Sequence, residues 1–295
     1  MNVVLITGCS SGIGLETALA FARRGGATYA SMRDPARATR LRERAEAEGL
    51  PMEVLALDVT DDASVTAAVR AVQRRHGAID VLVNNAGIAD SGPVETIPIE
   101  RAEAVFDTNV WGPVRTVRAA LPAMRARGAG VIVNVSSAAA RLPAMPYNGF
   151  YAASKHALGA LSQSLAWELD PFGIRVVCIE PGFFATEISS KSWGAVDPAS
   201  PYGADHAWVN DFFVQNGEAN GGDPAVVAEA IVRAAGDPRA PLHNLVGDDA
   251  VGYVDVAARA GSHEGWVAVA TGILESVAGP RPLARTPMAD RAEAA

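Results

Sequence analysis

The stretch Thr7-Gly8-Cys9-Ser10-Ser11-Gly12-Ile13-Gly14 decides how this chain of 295 residues folds. It follows an apolar run at 2–7 that is typical of a buried strand, and it leads into a helical pattern at 12–25. Gly8 permits a tight turn, Gly12 lets the backbone approach a pyrophosphate, and Gly14 lets the helix pack close to the sheet. The helix N-terminus then presents free amides to an anion. We therefore predict nucleotide binding here, with a plain turn as the alternative.

The same alternation of strand and helix continues to about residue 180. Short runs rich in Val, Ile and Leu alternate with longer Ala/Arg/Glu-rich stretches of helical period, which indicates a parallel sheet. Strands are predicted near 2–7, 27–32, 52–57, 80–84, 130–135, 174–179 and 242–246. Helices are predicted near 12–25, 35–48, 61–76, 98–127, 150–170, 224–236 and 249–260. The expected fold is α/β, a Rossmann-type doubly wound sheet of about seven parallel strands flanked by helices.

Two later regions do not follow this alternation of strand and helix. Residues 185–222 mix Gly, Asp, Asn and Pro with aromatic residues, which suits either a lid over a substrate site or an insertion that packs its aromatics on the core. The apolar stretch at 266–277 could be a helix that covers a cleft or a partner surface, or it could pack in the core. We expect one catalytic domain over 1–279 and a disordered tail over 280–295.

The composition excludes several classes of protein. With 49% hydrophobic residues the chain can build a large core, and the longest apolar runs fall short of a membrane-spanning helix. The net charge of −8 and the absence of a basic block argue against a nucleic-acid partner. No basic leader or cleavage site precedes the first strand, so we expect a cytoplasmic protein without a membrane partner.

The cysteines and histidines do not predict a metal centre. Cys9 and Cys178 lie in apolar contexts beside strands and are interpreted as small buried residues. The histidines are far apart in the sequence and lack the spacing of metal ligands. They are His76, His156, His206, His243 and His263.

The end of the second strand indicates which dinucleotide is bound. An acidic residue there would bind the adenosine ribose hydroxyls, whereas a basic residue would accept a 2′-phosphate. Met32 stands where the acid would be and Arg33 follows it, which favours NADP(H) over NAD(H). The alternative is that Arg33 forms a solvated surface pair with Asp34. Ser10 and Ser11 could add hydroxyl contacts to the phosphate.

Tyr151 and Lys155 form the strongest candidate for chemistry. They are four residues apart in a helical pattern, so they share one face of the helix. A cation beside a phenol is expected to lower the pKa of the phenol toward neutrality, which makes it a proton donor and acceptor for a carbonyl/alcohol pair. The chain has 23 arginines but only two lysines, Lys155 and Lys191, so a lysine at this position is distinctive.

Several motifs together resemble the short-chain dehydrogenase/reductase family in its single-domain form. They are the glycine loop, Asn84-Asn85-Ala86-Gly87, Asn109, Ser136-Ser137, Tyr151-Ala-Ala-Ser-Lys155 and Pro181-Gly182. The resemblance implies that Tyr151 is the general acid/base and that Lys155 lowers its pKa and binds the nicotinamide ribose. Ser137 would bind the substrate oxygen, and Asn109 would hold a water in a proton relay. Ser137 lies 14 residues before Tyr151 where 13 is usual, which keeps Ser136 as an alternative.

The resemblance also implies a set of cofactor contacts. Asn84, Ala86 and Gly87 would line the adenosine side, Asp58 would lie near the adenine, and Thr186 near the nicotinamide carboxamide. The full set is Gly8, Ser10, Ser11, Gly12, Ile13, Gly14, Arg33, Asp58, Val59, Asn84, Ala86, Gly87, Tyr151, Lys155, Pro181, Gly182 and Thr186.

Three stretches look like the branch of the family that contains 17β-hydroxysteroid and retinol dehydrogenases: 32–34, 109–115 and 180–184. This likeness suggests a fairly bulky, apolar ketone or secondary alcohol. The predicted substrate contacts are Ser137, Leu142, Met145, Tyr147, Phe183, Phe184 and Trp193.

The expected activity is hydride transfer between NADP(H) and a carbonyl/alcohol pair. Alternatives are a non-catalytic NADP(H)-binding regulator and a family member that dehydrates or epimerises its substrate. No acidic pair stands out at the predicted strand ends, so hydride transfer is favoured over glycoside hydrolysis. The family also suggests a homodimer or homotetramer formed through the helices near 98–127 and 150–170.

Overall fold

A computed structural model describes residues 2–188 and 196–282. The strands are β1 (Val3–Ile6), β2 (Ala27–Met32), β3 (Met52–Ala56), β4 (Val81–Asn84), β5 (Gly130–Val135), β6 (Ile174–Pro181) and β7 (His243–Val246). They form a seven-stranded parallel sheet in the order β3-β2-β1-β4-β5-β6-β7. The chain runs outward from β1 to β3 and returns to the other side of β1 with β4. The loops after β1 and β4 therefore diverge, which opens a crevice at the carboxyl ends of the strands.

Helices cover both faces of the sheet. They are α1 (Gly12–Arg23), α2 (Thr39–Ala47), α3 (Asp62–His76), α4 (Ile99–Phe106), α5 (Gly112–Arg127), α6 (Gly149–Leu169), α7 (Gly203–Val214), α8 (Pro224–Gly236), α9 (Asp248–Ala260) and α10 (His263–Ala278). One apolar core joins α1, α2 and α8 to the sheet, and a second joins α3, α5 and α6 to its opposite face. The predicted doubly wound α/β fold is thus confirmed.

Two predicted helices are interrupted. The helix expected near 98–127 is divided into α4 and α5 by a π-helical turn at Asp107–Trp111. Pro113, which lacks a backbone N–H, stands in the first turn of α5. The helix expected near 35–48 starts with a 3₁₀ turn at Pro35–Ala38, where the Asp34 side chain accepts a hydrogen bond from the Ala36 amide.

The two ambiguous regions form a third apolar cluster. Within the region 185–222 the structure contains α7, and the stretch 266–277 lies in α10. Trp208, Phe212 and Phe213 of α7 pack against Leu274 of α10 and against Phe183 after β6. Trp193 and the tail beyond 282 lie outside the described residues. None of the helices within 2–188 and 196–282 combines the length and the hydropathy that a membrane span requires.

Candidate active site

A cavity of about 920 Å³ occupies the crevice at the carboxyl ends of the strands. Most of the residues predicted for the site line it. These are Gly8, Ser10, Ser11, Gly12, Ile13, Gly14, Arg33, Asp58, Val59, Ala86, Gly87, Ser137, Leu142, Met145, Tyr151, Lys155, Pro181, Gly182, Phe183, Phe184 and Thr186. Asn84, Asn109 and Tyr147 do not line it, and Trp193 lies outside the described residues.

The glycine loop fits closely against its neighbours. Gly8 and Gly12 have φ angles of 75° and 57°, in the region that glycine adopts without strain. A Cβ on Gly8 would lie 2.8 Å from the Cα of Ala86, and a Cβ on Gly14 would overlap the Gly8 carbonyl. Ser11, the N-cap of α1, makes no side-chain capping hydrogen bond, so the first amides of the helix stay available to a ligand. The loop therefore forms a cradle that stays open because glycines stand where the side chain of any other residue would fill it.

Two arginines lie at the end of β2, where the cleft would receive the adenosine end of a dinucleotide. Arg33 and Arg37 both line the cavity and are exposed. Asp34 uses its carboxylate to cap the following 3₁₀ turn, and no ion pair of Arg33 is found among residues 2–188 and 196–282. The proposed surface pair of Arg33 with Asp34 is therefore not formed. Arg37 was missed because its position in the sequence looks like part of an ordinary helix.

Asn84 is a correction to the predicted cofactor contacts. Its side chain is buried in the sheet, where it donates to Asn134 Oδ1 at 2.9 Å and accepts from Thr116 Oγ1 at 2.6 Å. The next residue, Asn85, lines the cavity and donates to the carbonyls of Thr7 and Gly8. Side chains alternate along a strand, so a shift of one residue exchanges the interior for the cleft.

The predicted catalytic residues Ser137, Tyr151 and Lys155 meet in the middle of the cleft. Ser137 follows β5, and its side chain lies near enough to the Tyr151 phenol of α6 to lower the pKa of that phenol. Lys155 Nζ lies 5.6 Å from the centre of the Tyr151 ring and donates to the Val135 carbonyl at 3.1 Å. The alternative, Ser136, donates its hydroxyl to the Lys155 carbonyl instead. This geometry favours Ser137 over Ser136 as the partner of a substrate oxygen.

Burial controls the protonation of this group. It lowers the pKa of Lys155 to about 8, because few other charges compensate the buried ammonium. It also raises the pKa of Tyr151, and the nearby Ser137 side chain only partly opposes that effect. The expected lowering of the Tyr151 pKa by Lys155 is therefore not seen in this arrangement, in which Lys155 Nζ binds the Val135 carbonyl. A protonated phenol is nevertheless the form that an acid catalyst needs.

Asn109 lies behind the cleft. It belongs to the π-helical turn and is buried, and its side chain binds both the amide and the carbonyl of Ile88. A Cβ on Gly87 would lie 3.3 Å from Asn109 Oδ1 and 3.6 Å from Lys155 Nζ. Asn109 is thus close to Lys155, but its carboxamide serves to hold the loop after β4.

The wall beyond Tyr151 is apolar. Leu142 and Met145 line it from the loop before α6, and Phe183 and Phe184 from the loop after β6. Tyr147 is a further correction: its hydroxyl donates to Asp205 at 2.8 Å, and neither residue lines the cavity. The sequence also left unpredicted five aromatic or apolar residues of this wall: Phe212, Phe213, Tyr253, Trp266 and Ile273. Only their aromatic or apolar character signalled them, and that character is equally typical of a core.

One cluster away from the cleft has the composition of a metal site. Cys178, Glu180 and His243 hold their ligand atoms within 4.8 Å of one another, which the sequence did not suggest. Glu180 pairs with His243 at 2.8 Å and lies 3.7 Å from Arg141, while burial raises the pKa of the Cys178 thiol to about 12. Glu180 already faces both His243 and the Arg141 guanidinium, so we interpret the cluster as a carboxylate held by its neighbours and assign it no metal.

The chain resembles known oxidoreductases over most of its length. The family model for short chain dehydrogenase matches residues 2–196. The chain is 40% identical to retinol dehydrogenase 8 of Bos taurus, over 82% of this chain and 80% of that protein. It is 43% identical to 17-beta-hydroxysteroid dehydrogenase type 1 of Homo sapiens, over 66% of this chain and 60% of that protein. The predicted likeness to these two kinds of enzyme is confirmed.

Solved structures of similar fold lead to the same family as the sequence comparisons. A short-chain dehydrogenase from Streptomyces avermitilis superposes with a TM-score of 0.78 at 34% identity, covering 92% of this chain and 97% of that one. Similar solved structures include complexes with NADP and complexes with NAD. The fold, the glycine cradle and these likenesses lead to one conclusion: the chain belongs to the short-chain dehydrogenase/reductase family.

Proposed function

We propose that this protein interconverts ketones and secondary alcohols, with NADP(H) as the hydride carrier and Tyr151 as the general acid/base. The observation that carries the proposal is the meeting of Tyr151, Ser137 and a buried Lys155 in one cleft that runs from the glycine cradle to an apolar wall. A reductase needs these parts: a cofactor cradle, a proton donor and a pocket that excludes water. We expect NADPH consumption with a panel of ketones to reveal the activity.

Each group of residues in the cleft would have its own role in cofactor binding or proton transfer. The glycine cradle and the free amides of α1 would hold the pyrophosphate, and Lys155 the nicotinamide ribose. When bound, the nicotinamide supplies hydride to the carbonyl carbon. The Tyr151 phenol gives its proton to the carbonyl oxygen, which Ser137 holds by a hydrogen bond, and the product is an alcohol. Alcohol oxidation runs through the same groups in reverse.

The positive charge at the end of β2 supports NADP(H). Arg33 and Arg37 face the part of the cleft where a 2′-phosphate would lie, and Met32 offers no carboxylate to ribose hydroxyls. The similar structures hold either cofactor, so the proposal depends on this chain's own arginines.

Replacing Arg33 with alanine should therefore weaken the binding of NADPH and leave the binding of NADH nearly unchanged. A charge-assisted hydrogen bond contributes about 1.5–3 kcal/mol, so we expect the KM for NADPH to rise roughly 10- to 100-fold. The KM for NADH should change less than about twofold, because NADH has no 2′-phosphate. Steady-state kinetics with both cofactors measures this. Equal losses for NADPH and NADH would contradict the assignment.

The buried ammonium predicts the pH dependence of reduction. Lys155 must be protonated to hold the ribose hydroxyls, and burial lowers its pKa to about 8. Its charge is present below that value and is lost as the pH rises, so kcat/KM for NADPH should fall about tenfold per pH unit above pH 8. The Tyr151 phenol, whose pKa is raised, stays protonated over this range. A profile that is flat between pH 8 and 10 would contradict this interpretation.

The apolar wall supports a bulky, apolar substrate. Phe183, Phe212, Phe213 and Trp266 contribute aromatic surface around the cleft. Retinol dehydrogenase 8 and 17-beta-hydroxysteroid dehydrogenase type 1 carry names that denote large apolar substrates, which agrees with this proposal.

Assembly through α5 and α6 is part of the same proposal. Trp167 on α6 is 86% exposed and Trp111, just before α5, is 52% exposed. Tryptophan is enriched where two protein surfaces meet. We infer a homodimer or homotetramer that uses these two helices.

A further inference from the structure

The loop that precedes Tyr151 contains a strained residue. Tyr147 has a φ angle of 60°, and it is the one residue other than glycine with a positive φ among those the structure describes. A bulky side chain rarely adopts this conformation, and it persists only where the surroundings fix it. Such residues cluster at functional sites, so the contacts of Tyr147 need an explanation.

A buried carboxylate on α7 holds Tyr147 in place. The Tyr147 hydroxyl donates to Asp205 Oδ2 at 2.8 Å, and Asp205 is completely buried. The Tyr147 ring stacks on His206 at a centroid distance of 5.0 Å. The carbonyl of Tyr147 accepts a hydrogen bond from the Gly92 amide. The strained residue is thus fixed from three directions.

The same carboxylate also binds the segment that follows α10. Arg281 Nε donates to Asp205 Oδ1 at 2.8 Å and Arg281 Nη2 to Oδ2 at 2.7 Å, a bidentate pair. The guanidinium lies 5.9 Å from the Trp208 ring, and Trp208 Nε1 donates to the Gly279 carbonyl. Asp205 therefore joins three parts of the chain that are distant in sequence.

Each of these three parts also contributes to the apolar wall of the cavity. Met145 lies two residues before Tyr147, Phe212 and Phe213 follow Asp205 on α7, and Trp266 and Ile273 lie on α10, which ends just before Arg281. The carboxylate itself does not line the cavity. Asp205 therefore lies outside the cavity and holds together the segments that carry the wall residues.

We propose that Asp205 is a positioning residue for substrate recognition: by binding Tyr147 and Arg281 together, it fixes the apolar wall that selects a bulky ketone. This inference rests on the proposed ketone reduction at Tyr151. Tyr151, Lys155 and the glycine cradle do not contact the cluster through any hydrogen bond or ion pair of the described residues. Loss of the cluster should therefore change the affinity for a bulky substrate and leave cofactor binding intact.

The test compares two tyrosines that each lose only a hydroxyl. Tyr147→Phe removes the bond to Asp205, while Tyr202→Phe removes an exposed bond to Glu95. With NADPH, we expect Tyr147→Phe to raise the KM for a bulky aromatic ketone at least tenfold. The kcat, the KM for a small ketone and the Kd for NADPH should each change less than twofold. Tyr202→Phe should leave all four values unchanged. Equal losses for small and bulky ketones, or no change in Tyr147→Phe, would overturn the proposal.

Arg281 tests the same contact from the other side. Arg281→Ala should reproduce the KM effect, and Arg281→Lys should restore part of it because an ammonium can still pair with Asp205. If lysine and alanine behave alike and both lower kcat, the cluster is a structural support of the whole site and the proposal is wrong.

A readout that needs no turnover separates this inference from the proposed function. Hydrogen exchange of the amides at 142–148 should speed up at least tenfold in Tyr147→Phe and stay unchanged in Tyr202→Phe. If the wild-type protein reduces no ketone but the exchange rates change as expected, the proposed function fails and Asp205 still positions the loop. Unchanged exchange in Tyr147→Phe would overturn the positioning role itself.

Discussion

Replacing Tyr151 with phenylalanine is expected to lower kcat for NADPH-dependent ketone reduction roughly 1,000-fold, within the range that general acid catalysis provides. The substitution removes one oxygen and leaves the ring in place beside Lys155, whose Nζ lies 5.6 Å from its centre. The Ser137 hydroxyl is unchanged in this variant, so a substrate oxygen could still bind to it. Single-turnover kinetics with NADPH in excess would measure the loss on the chemical step.

Cofactor binding is the control for this substitution. The glycine cradle and Lys155 are unchanged, so the Kd for NADPH measured by fluorescence should stay within about twofold of the wild type. An active Tyr151→Phe protein would show that another group supplies the proton.

Replacing Gly14 with alanine should damage the cofactor cradle. A Cβ at this position would overlap the Gly8 carbonyl and the Asn85 side chain, which are hydrogen-bonded to each other at 3.2 Å. Relief of that overlap must shift the loop or the start of α1. We expect the free energy of unfolding to fall by about 1–3 kcal/mol, as for other overpacked sites, and the Kd for NADPH to rise at least tenfold.

Gly252 provides the matched control. It lies in α9, where an added Cβ would meet no atom within 4 Å. Gly252→Ala should therefore leave the Kd for NADPH unchanged and raise stability by up to about 1 kcal/mol. Isothermal titration and chemical unfolding of both variants give the comparison. Wild-type affinity in Gly14→Ala would show that the cradle does not hold the cofactor.

Most of the fold could be predicted because it depends on local pattern. Parallel strands buried on both faces are continuous apolar runs, and all seven predicted strands are present at nearly the predicted positions. The glycine loop was equally informative, since Gly8 and Gly12 adopt positive φ and Gly14 packs against the loop. These features depend on residues that are close together in the sequence.

The remainder depends on packing between distant segments. Nothing local distinguishes Asn84, which faces the interior of the sheet, from Asn85, which faces the cleft. The direction of the Tyr147 side chain depends on Asp205 and Arg281, which are far away in sequence. The raised pKa of Tyr151 follows from burial, a property of the assembled fold. Such features require the tertiary structure.

The most direct test of ketone reduction by this protein is to trace the hydride from NADPH to the product. A bulky ketone would be reduced with NADPH that carries deuterium at either face of nicotinamide C4, and the alcohol would be analysed by mass spectrometry. We expect one deuterium on the carbinol carbon from one of the two labelled cofactors and none from the other. An alcohol without deuterium from both, or a dehydrated or epimerised product with no net use of NADPH, would contradict it.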